Sequence, residues 1–189
     1  MAITNDTELA NFALQLINAG SISSIDGNGR EATILRSKLT LATKRVISEG
    51  EFHTTKRRAN LTLRTDLSRP DFQYCYYVPD DYVKGYALES GYIYEMESGA
   101  IFSDDDSPRL IYFANLQNYN MYGPIIPEVM GCLLAVLVCM EIKGDSNMLA
   151  LAESEYMKYM RSAKAHDRSE KNGQKKNPTT WSSFNEGTL

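Results

Sequence analysis

The chain is poor in the residues on which small active sites most often depend. Among its 189 residues are one tryptophan, two histidines and three cysteines. His53 follows an aromatic residue at the start of a strand-rich stretch. His166 stands beside Asp167 and Arg168 near the end of a helical pattern, where the helix dipole favours it without any catalytic role. The cysteines, Cys75, Cys132 and Cys139, are odd in number and fit no zinc spacing. Cys132 and Cys139 lie seven apart in an apolar run, so on a helix they share a face as small buried hydrophobes. Reduced thiols of this kind suit folding in a cytoplasm.

Other signatures are missing too. No serine sits in a G-x-S-x-G elbow. Gly27-Asn28-Gly29 lacks the following lysine and preceding strand of a phosphate loop. Asp104-Asp105-Asp106 lacks the spacing of a calcium loop, and three consecutive acids alternate direction on an extended chain. It reads as a solvated turn, as does Asp80-Asp81. The expectation is a protein that is not an enzyme, with no cofactor and no metal.

A basic excess is also absent. Lys and Arg total 20 against 24 Asp and Glu, giving a net charge of −4. That balance argues against a general nucleic-acid binder. The start, MAITNDTELANF, has no basic segment followed by an apolar core, so no secretory signal is expected. The longest apolar stretch, residues 129–140, is short of the roughly 20 residues of a membrane span and is bracketed by Glu128 and Glu141. It reads as a buried helix, with no membrane partner.

What is present organises into an α+β domain over residues 1–170. A first helix over about 6–19 is capped by Asn5 or Asp6, with Leu9, Phe12, Ala13, Leu16 and Ile17 on one face and Gly20 as its left-handed stop. A second over about 29–48 has Ala32, Leu35, Leu39, Ala42 and Val46 as its stripe and Gly50 as its end. Residues 51–113 are rich in Thr, Tyr, Phe and Val, and predict one small antiparallel sheet. Phe52, Leu61 and Leu63 read as strand positions. Phe72, Tyr74 and Tyr76 alternate with Gln73, Cys75 and Tyr77, and Pro79-Asp80-Asp81 closes that run. Residues 92–96, 100–102 and 110–113 are further strands, with Ser98-Gly99 as a hairpin turn.

The last third is helical again. Pro127 suits the first position of a helix over about 127–143, apolar nearly all round and therefore central. Gly144-Asp145-Ser146 breaks it. Asp145 or Ser146 then caps a helix over about 146–168, antiparallel to its predecessor because the turn is so short. Residues 171–189 lose all periodicity, yet hold Trp181, Phe184 and Leu189, with Lys175 and Lys176 before them. This composition predicts an extended docking tail, reaching about 60 Å at roughly 3.3 Å per residue.

Ten of the twelve tyrosines lie between 74 and 122. Tyrosine buries area and keeps a polar tip, which favours subunit contacts. Lys56-Arg57-Arg58 is the compact basic cluster of the domain. It fits an exposed strand rim, or a partner for acids on a neighbouring subunit, better than a set of phosphate contacts.

The order of these pieces resembles the tail tubular protein A and head-to-tail adaptor family of tailed bacteriophages. Phe12-Ala13-Leu14 leads through Ile17, Gly20 and Ile22 to Ile25-Asp26, similar to the family's opening helix and its entry to the second. Phe72-x-Tyr74-x-Tyr76-Tyr77-x-Pro79-Asp80-Asp81-Tyr82 looks like its aromatic strand ending in a proline–acid turn. Tyr122-Gly123-Pro124, Pro127 and Leu133-Leu134-Ala135 are similar to its paired C-terminal helices. Phe52 stands where the family often has tryptophan and is expected to fill the same core slot.

The resemblance implies a homo-oligomeric ring, usually twelvefold, in the virion neck after assembly in the host cytoplasm. One face would meet the portal protein and the other the tail or nozzle proteins. Double-stranded DNA would pass through the lumen during packaging and genome ejection. A mildly acidic subunit suits such a channel, because a basic wall would hold the phosphates. The tail residues Lys175, Lys176, Trp181, Phe184 and Leu189 become candidates for docking on the portal or a neighbouring copy. Lys56, Arg57, Arg58, Tyr76, Tyr77, Asp80 and Asp81 become candidate subunit-interface or lumen contacts. Another neck or tail completion protein shares this ring logic. A small nucleic-acid-binding protein is the other alternative, since the second helix holds Arg30, Arg36, Lys38, Lys44 and Arg45, though Glu31 and Glu49 share it.

Overall fold

A computed structural model describes residues 3–173, with side chains described as far as residue 170. Its order is α1 (Asp6–Leu16), α2 (Arg30–Gly50), β1 (Lys56–Asn60), β2 (Tyr74–Tyr77), β3 (Tyr82–Leu88), β4 (Tyr94–Glu97), β5 (Ala100–Ser103), β6 (Arg109–Ala114), α3 (Ile125–Ile142) and α4 (Ser146–Gly173). Single 3-10 turns precede β1 and α3. The α+β class, with helices at both ends and antiparallel strands between, is borne out.

Helix α3 is the centre. It packs against α1, α2 and α4, and Val129, Met130, Leu133, Leu134, Ala135 and Val138 are all buried. Its length and apolarity would suffice for a membrane span, but most of its surface is covered by the other three helices. At Gly131 the missing side chain leaves room for the Phe12 ring of α1, which a Cβ there would meet. Pro127 is the third residue of α3 rather than the first, at a position whose amide has no helical acceptor in any case.

Helix ends differ from expectation in instructive ways. Asn5 caps α1 by accepting from the Glu8 amide at 3.0 Å, while Glu8 accepts in return from the Thr4 amide at 2.6 Å. Helix α1 stops at Leu16, and the left-handed residue after it is Asn18 (φ 49°), not Gly20. Helix α2 runs to Gly50 and takes its left-handed turn at Glu51 (φ 53°). The missing side chain at Gly50 instead leaves room for the ring of Phe52, which is fully buried in the main core. Asp145 caps α4 by accepting from the Asn147 amide at 2.8 Å, and α4 continues to Gly173.

The single sheet expected from the sequence is two three-stranded antiparallel sheets. Sheet 1 has the order β1-β6-β3 and sheet 2 the order β2-β5-β4. Strand β3 was not foreseen. Tyr82-Val83-Lys84-Gly85-Tyr86-Ala87-Leu88 has no clean period of two, and two register shifts against β6 explain why. Strand β4 starts at Tyr94 rather than at Tyr92. Phe52 precedes β1, Leu61 follows it, and Leu63 makes one isolated bridge to Tyr76. The β4–β5 hairpin turns at Ser98 (φ 51°) and Gly99 (φ 72°), the two positive angles of a type I′ turn.

Candidate functional site

Sheet 2 has two unlike faces. Tyr76 and Ile101 are cross-strand partners and face inward with Tyr74 and Tyr94, joining the main core. Tyr94 reaches sheet 1 at Gly85, where a Cβ would collide with its hydroxyl. The opposite face carries Cys75, Ala100 and Phe102, which form a separate small cluster with Leu67 and Phe72 packed on it. Residues 63–73 supply that cover. Leu63 bridges Tyr76, and the Tyr77 amide donates to Thr62 O at 2.9 Å, so the free edge of β2 is closed.

Arg69 fastens the cover. Its guanidinium lies 5.3 Å from the Phe102 ring centre and 5.2 Å from that of Phe72. It binds three carboxylates, Asp71, Glu95 at 2.8 Å and Glu97 at 3.0 Å. One cation shared among three anions leaves this face negative. Across residues 61–78 and 90–107 there are seven acids and two arginines, and the second arginine, Arg64, is paired with Asp66 at 2.8 Å.

The acids surround apolar surface that the chain leaves uncovered. Ile93 is 78% exposed and Tyr92 and Tyr77 are each about half exposed on this side, while the half-exposed Leu63 and Met96 point to the other side, level with their cross-strand partners Tyr76 and Ile101. Tyr92 and Ile93 rim an open hollow floored by Phe72, with Asp104 and Gly91 on its wall. Strand β4 pairs only with β5, so its outer backbone edge has no strand beside it among the described residues. Unpaired strand edges and exposed apolar side chains are the kinds of surface on which partners dock.

The residues singled out from the sequence separate into three groups. Tyr76 is a core residue, 2% exposed, whose hydroxyl donates to Asp105 O at 2.5 Å. It is not a surface contact, and burial pushes its phenol up to about 12. Tyr77, on the other face, is exposed under the Arg64 guanidinium. Lys56, Arg57 and Arg58 lie on β1 and already have partners within the chain. Lys56 sits 3.4 Å over the Tyr86 ring, Arg57 pairs with Asp81 at 3.0 Å, and Arg58 with Glu89 at 3.4 Å. Asp81 also accepts from the Tyr112 hydroxyl at 2.8 Å, and Asp80 beside it is exposed. Lys175, Lys176, Trp181, Phe184 and Leu189 lie outside the described residues.

Asp104-Asp105-Asp106 is not a uniformly solvated turn. Asp105 is buried, accepting from the Ser90 hydroxyl and from the Ser107 amide at 3.0 Å. Asp104 accepts from the Gln73 amide at 2.9 Å. These bonds hold the 104–107 loop against sheet 2 and fix where the exposed 90–93 loop stands.

Several other titratable groups are tied into the fold. Tyr156 donates to Glu49 at 2.7 Å, and Glu49 also pairs with Arg45 at 2.7 Å. Burial alone would raise the Glu49 carboxyl, but bonds from Arg45 and Tyr156 outweigh it and hold the group below its ordinary value. Burial pushes the Cys132 thiol up to about 12. His166 and Asp167 line a crevice of about 40 Å³ beside Phe52, room for a few waters only. Among the described residues, no group of three or more His, Cys, Asp or Glu side chains could hold a metal ion. No protein-family model matches the chain, and no curated protein matches it in sequence.

Proposed function

We propose that this chain is a subunit of an oligomeric ring that joins a phage head to its tail: a connector or adaptor seated beneath the portal, with tail or nozzle proteins on its other face. In this reading the protein works by assembly in the virion neck, and double-stranded DNA passes through the ring. The observation that carries the reading is the outer surface of sheet 2. It combines a free strand edge, the exposed side chains of Tyr77, Tyr92 and Ile93 and a surplus of acids.

Further support comes from the arrangement of the resembling stretches. The 72–82 run spans β2, its proline–acid turn and the start of β3, while Tyr122-Gly123-Pro124 leads directly into α3. Phe52 fills a fully buried slot just after α2, as the resemblance implies for that position. The Arg57–Asp81 pair ties the turn to β1. The basic side chains of α2 do not favour a nucleic-acid binder. Lys38 pairs with Glu141 at 3.3 Å, Arg45 with Glu49 at 2.7 Å, and Arg30 donates to Glu141 O at 2.8 Å.

The test is mass photometry of the full chain, alone and mixed with the portal ring of the same phage. The expected result is a species at the portal mass plus about twelve subunits. A portal that stays at its own mass at micromolar chain concentration would contradict portal docking. Binding to tail-tube protein instead would make the chain another neck component.

A further inference from the structure

Within that ring reading, we infer which two surfaces of neighbouring copies meet: the acidic outer face of sheet 2 on one copy docks against the outer face of α4 on the next. The two faces match in charge, shape and spacing.

Helix α4 buries Ala152, Tyr156, Met160 and Ala163 against its own chain. At helical spacing the opposite stripe reads Leu151, Ser154, Lys158, Arg161, Ala165 and Arg168, with Met157 on its flank beside Glu153. It contains three bases and no acid. Arg161 and Arg168 have no ion-pair partner among the described residues, and Lys158 has only a solvent-exposed contact with Glu155 at 3.3 Å. Met157 is 52% exposed on the flank of the stripe, and Leu151 is 51% exposed within it. Ser154 and Ala165 are small, so a flat partner can approach closely.

Sheet 2 offers the complement. Glu95 and Glu97 point the same way from β4 and share Arg69 with Asp71, which leaves charge for a second partner. Two residues along a strand separate them by roughly 6.7 Å. Lys158 and Arg161, three apart on a helix, are separated by about 5–6 Å. A helix stripe can therefore meet both carboxylates at once, with Met157 laid against Ile93. Because the two surfaces lie on different parts of one chain, the contact is head-to-tail, and repeated contacts of that kind close into a ring or grow as a filament. A face that paired with itself would stop at a dimer.

The experiment uses full-length chain, an equal mixture of unlabelled and heavy-nitrogen protein. A carbodiimide is added, which joins a carboxylate to an amine only in direct contact, and the products are read by peptide mass spectrometry. The expected product is a mixed-isotope crosslink from Glu95 or Glu97 to Lys158. Charge reversal supplies the second arm. Glu95→Lys with Glu97→Lys is expected to weaken self-association about tenfold or more, Lys158→Glu with Arg161→Glu likewise, and the combination of all four to recover most of it. Glu95→Gln with Glu97→Gln, which leaves sheet 2 nearest its native shape, should weaken it less but measurably. Circular dichroism confirms that each variant is folded.

If the wild type assembles and the reversed β4 pair assembles equally well, this interface is wrong while the ring reading stands. If both single-face variants are impaired and the combination does not recover, α4 is not the receiving surface. If the wild type never associates with itself, alone or on the portal, the ring reading falls and takes this contact with it.

Discussion

Two apolar clusters of very different size hold this chain together. The larger joins all four helices, sheet 1 and the inward face of sheet 2. The smaller, on the outward face of sheet 2, has three buried residues, Cys75, Ala100 and Phe102, with two partly buried ones over them. The first has enough apolar area to fix its own structure. The second is held by Arg69, by the Asp105 loop and by its hairpin, and it leaves Ile93 and Tyr92 in water. A region with so small a core gains more from a partner than the bundle does. The contrast is the ground for proposing sheet 2 as the assembly surface.

The sharpest way to test that contrast is to damage each cluster separately. Leu134→Ala removes a fully buried side chain from α3 and is expected to cost about 3 kcal/mol, within the range of leucine truncations in cores. All signals should shift together in a denaturant titration. Phe102→Ala removes a comparable anchor from the small cluster. It should loosen sheet 2 while the helical signal at its far-ultraviolet minimum keeps its own midpoint. Equal loss of helix and sheet in both variants would erase the distinction.

The junction between the two regions should respond less strongly. Gly85→Val places a side chain where the Tyr94 hydroxyl sits and is expected to cost about 2 kcal/mol through overpacking, read by thermal unfolding. Asp105→Ala strips acceptors from the Ser90 hydroxyl and the Ser107 amide and should cost about 1–2 kcal/mol. That loss should appear as faster hydrogen exchange in residues 90–93 before any change in α3.

Near neutral pH the smallest effect comes from tyrosine ionisation, because it lies far outside that range. Burial pushes Tyr76, Tyr112 and Tyr122 up to about 12. A phenol held above its unfolded value of about 10 stabilises the folded chain fully below that pH. The contribution is lost as pH rises towards 12. Stability should therefore fall between about pH 10 and about 12, and Tyr122→Phe should flatten that fall while losing its bonds to Asn115 at 2.8 Å and to the Leu116 amide at 2.7 Å.

The helices were legible in the sequence because their signals are local: an Asn5 cap, stripes at helical spacing and the Asp145 cap each act within a few residues. The Ser98-Gly99 turn was legible for the same reason. Strand β3 was not, because Lys84 and Gly85 interrupt its alternation and its pairing with β6 shifts register twice. Neither was the split into two sheets, which depends on the distant pairing of β1 with β6. Tyr76 and Tyr77 are adjacent tyrosines with opposite fates, and only the tertiary placement of sheet 2 decides which is core. Asp105 between two other acids gave no sign of burial, since its partners Ser90 and Ser107 are set by the fold. The candidate surface itself was half legible. Tyr77 was singled out, but Ile93 and Glu95 had nothing to distinguish them until the free edge of β4 was placed.

The most direct test of the central claim is hydrogen–deuterium exchange on the full chain, free and in assembled form, with the portal ring as template if the chain alone stays monomeric. Slowed exchange across residues 90–97 and along the outer face of α4, with α3 unchanged, is the result expected if sheet 2 is the assembly surface. Protection confined to other segments, with residues 90–97 exchanging as fast in the assembly as in the free chain, would contradict it.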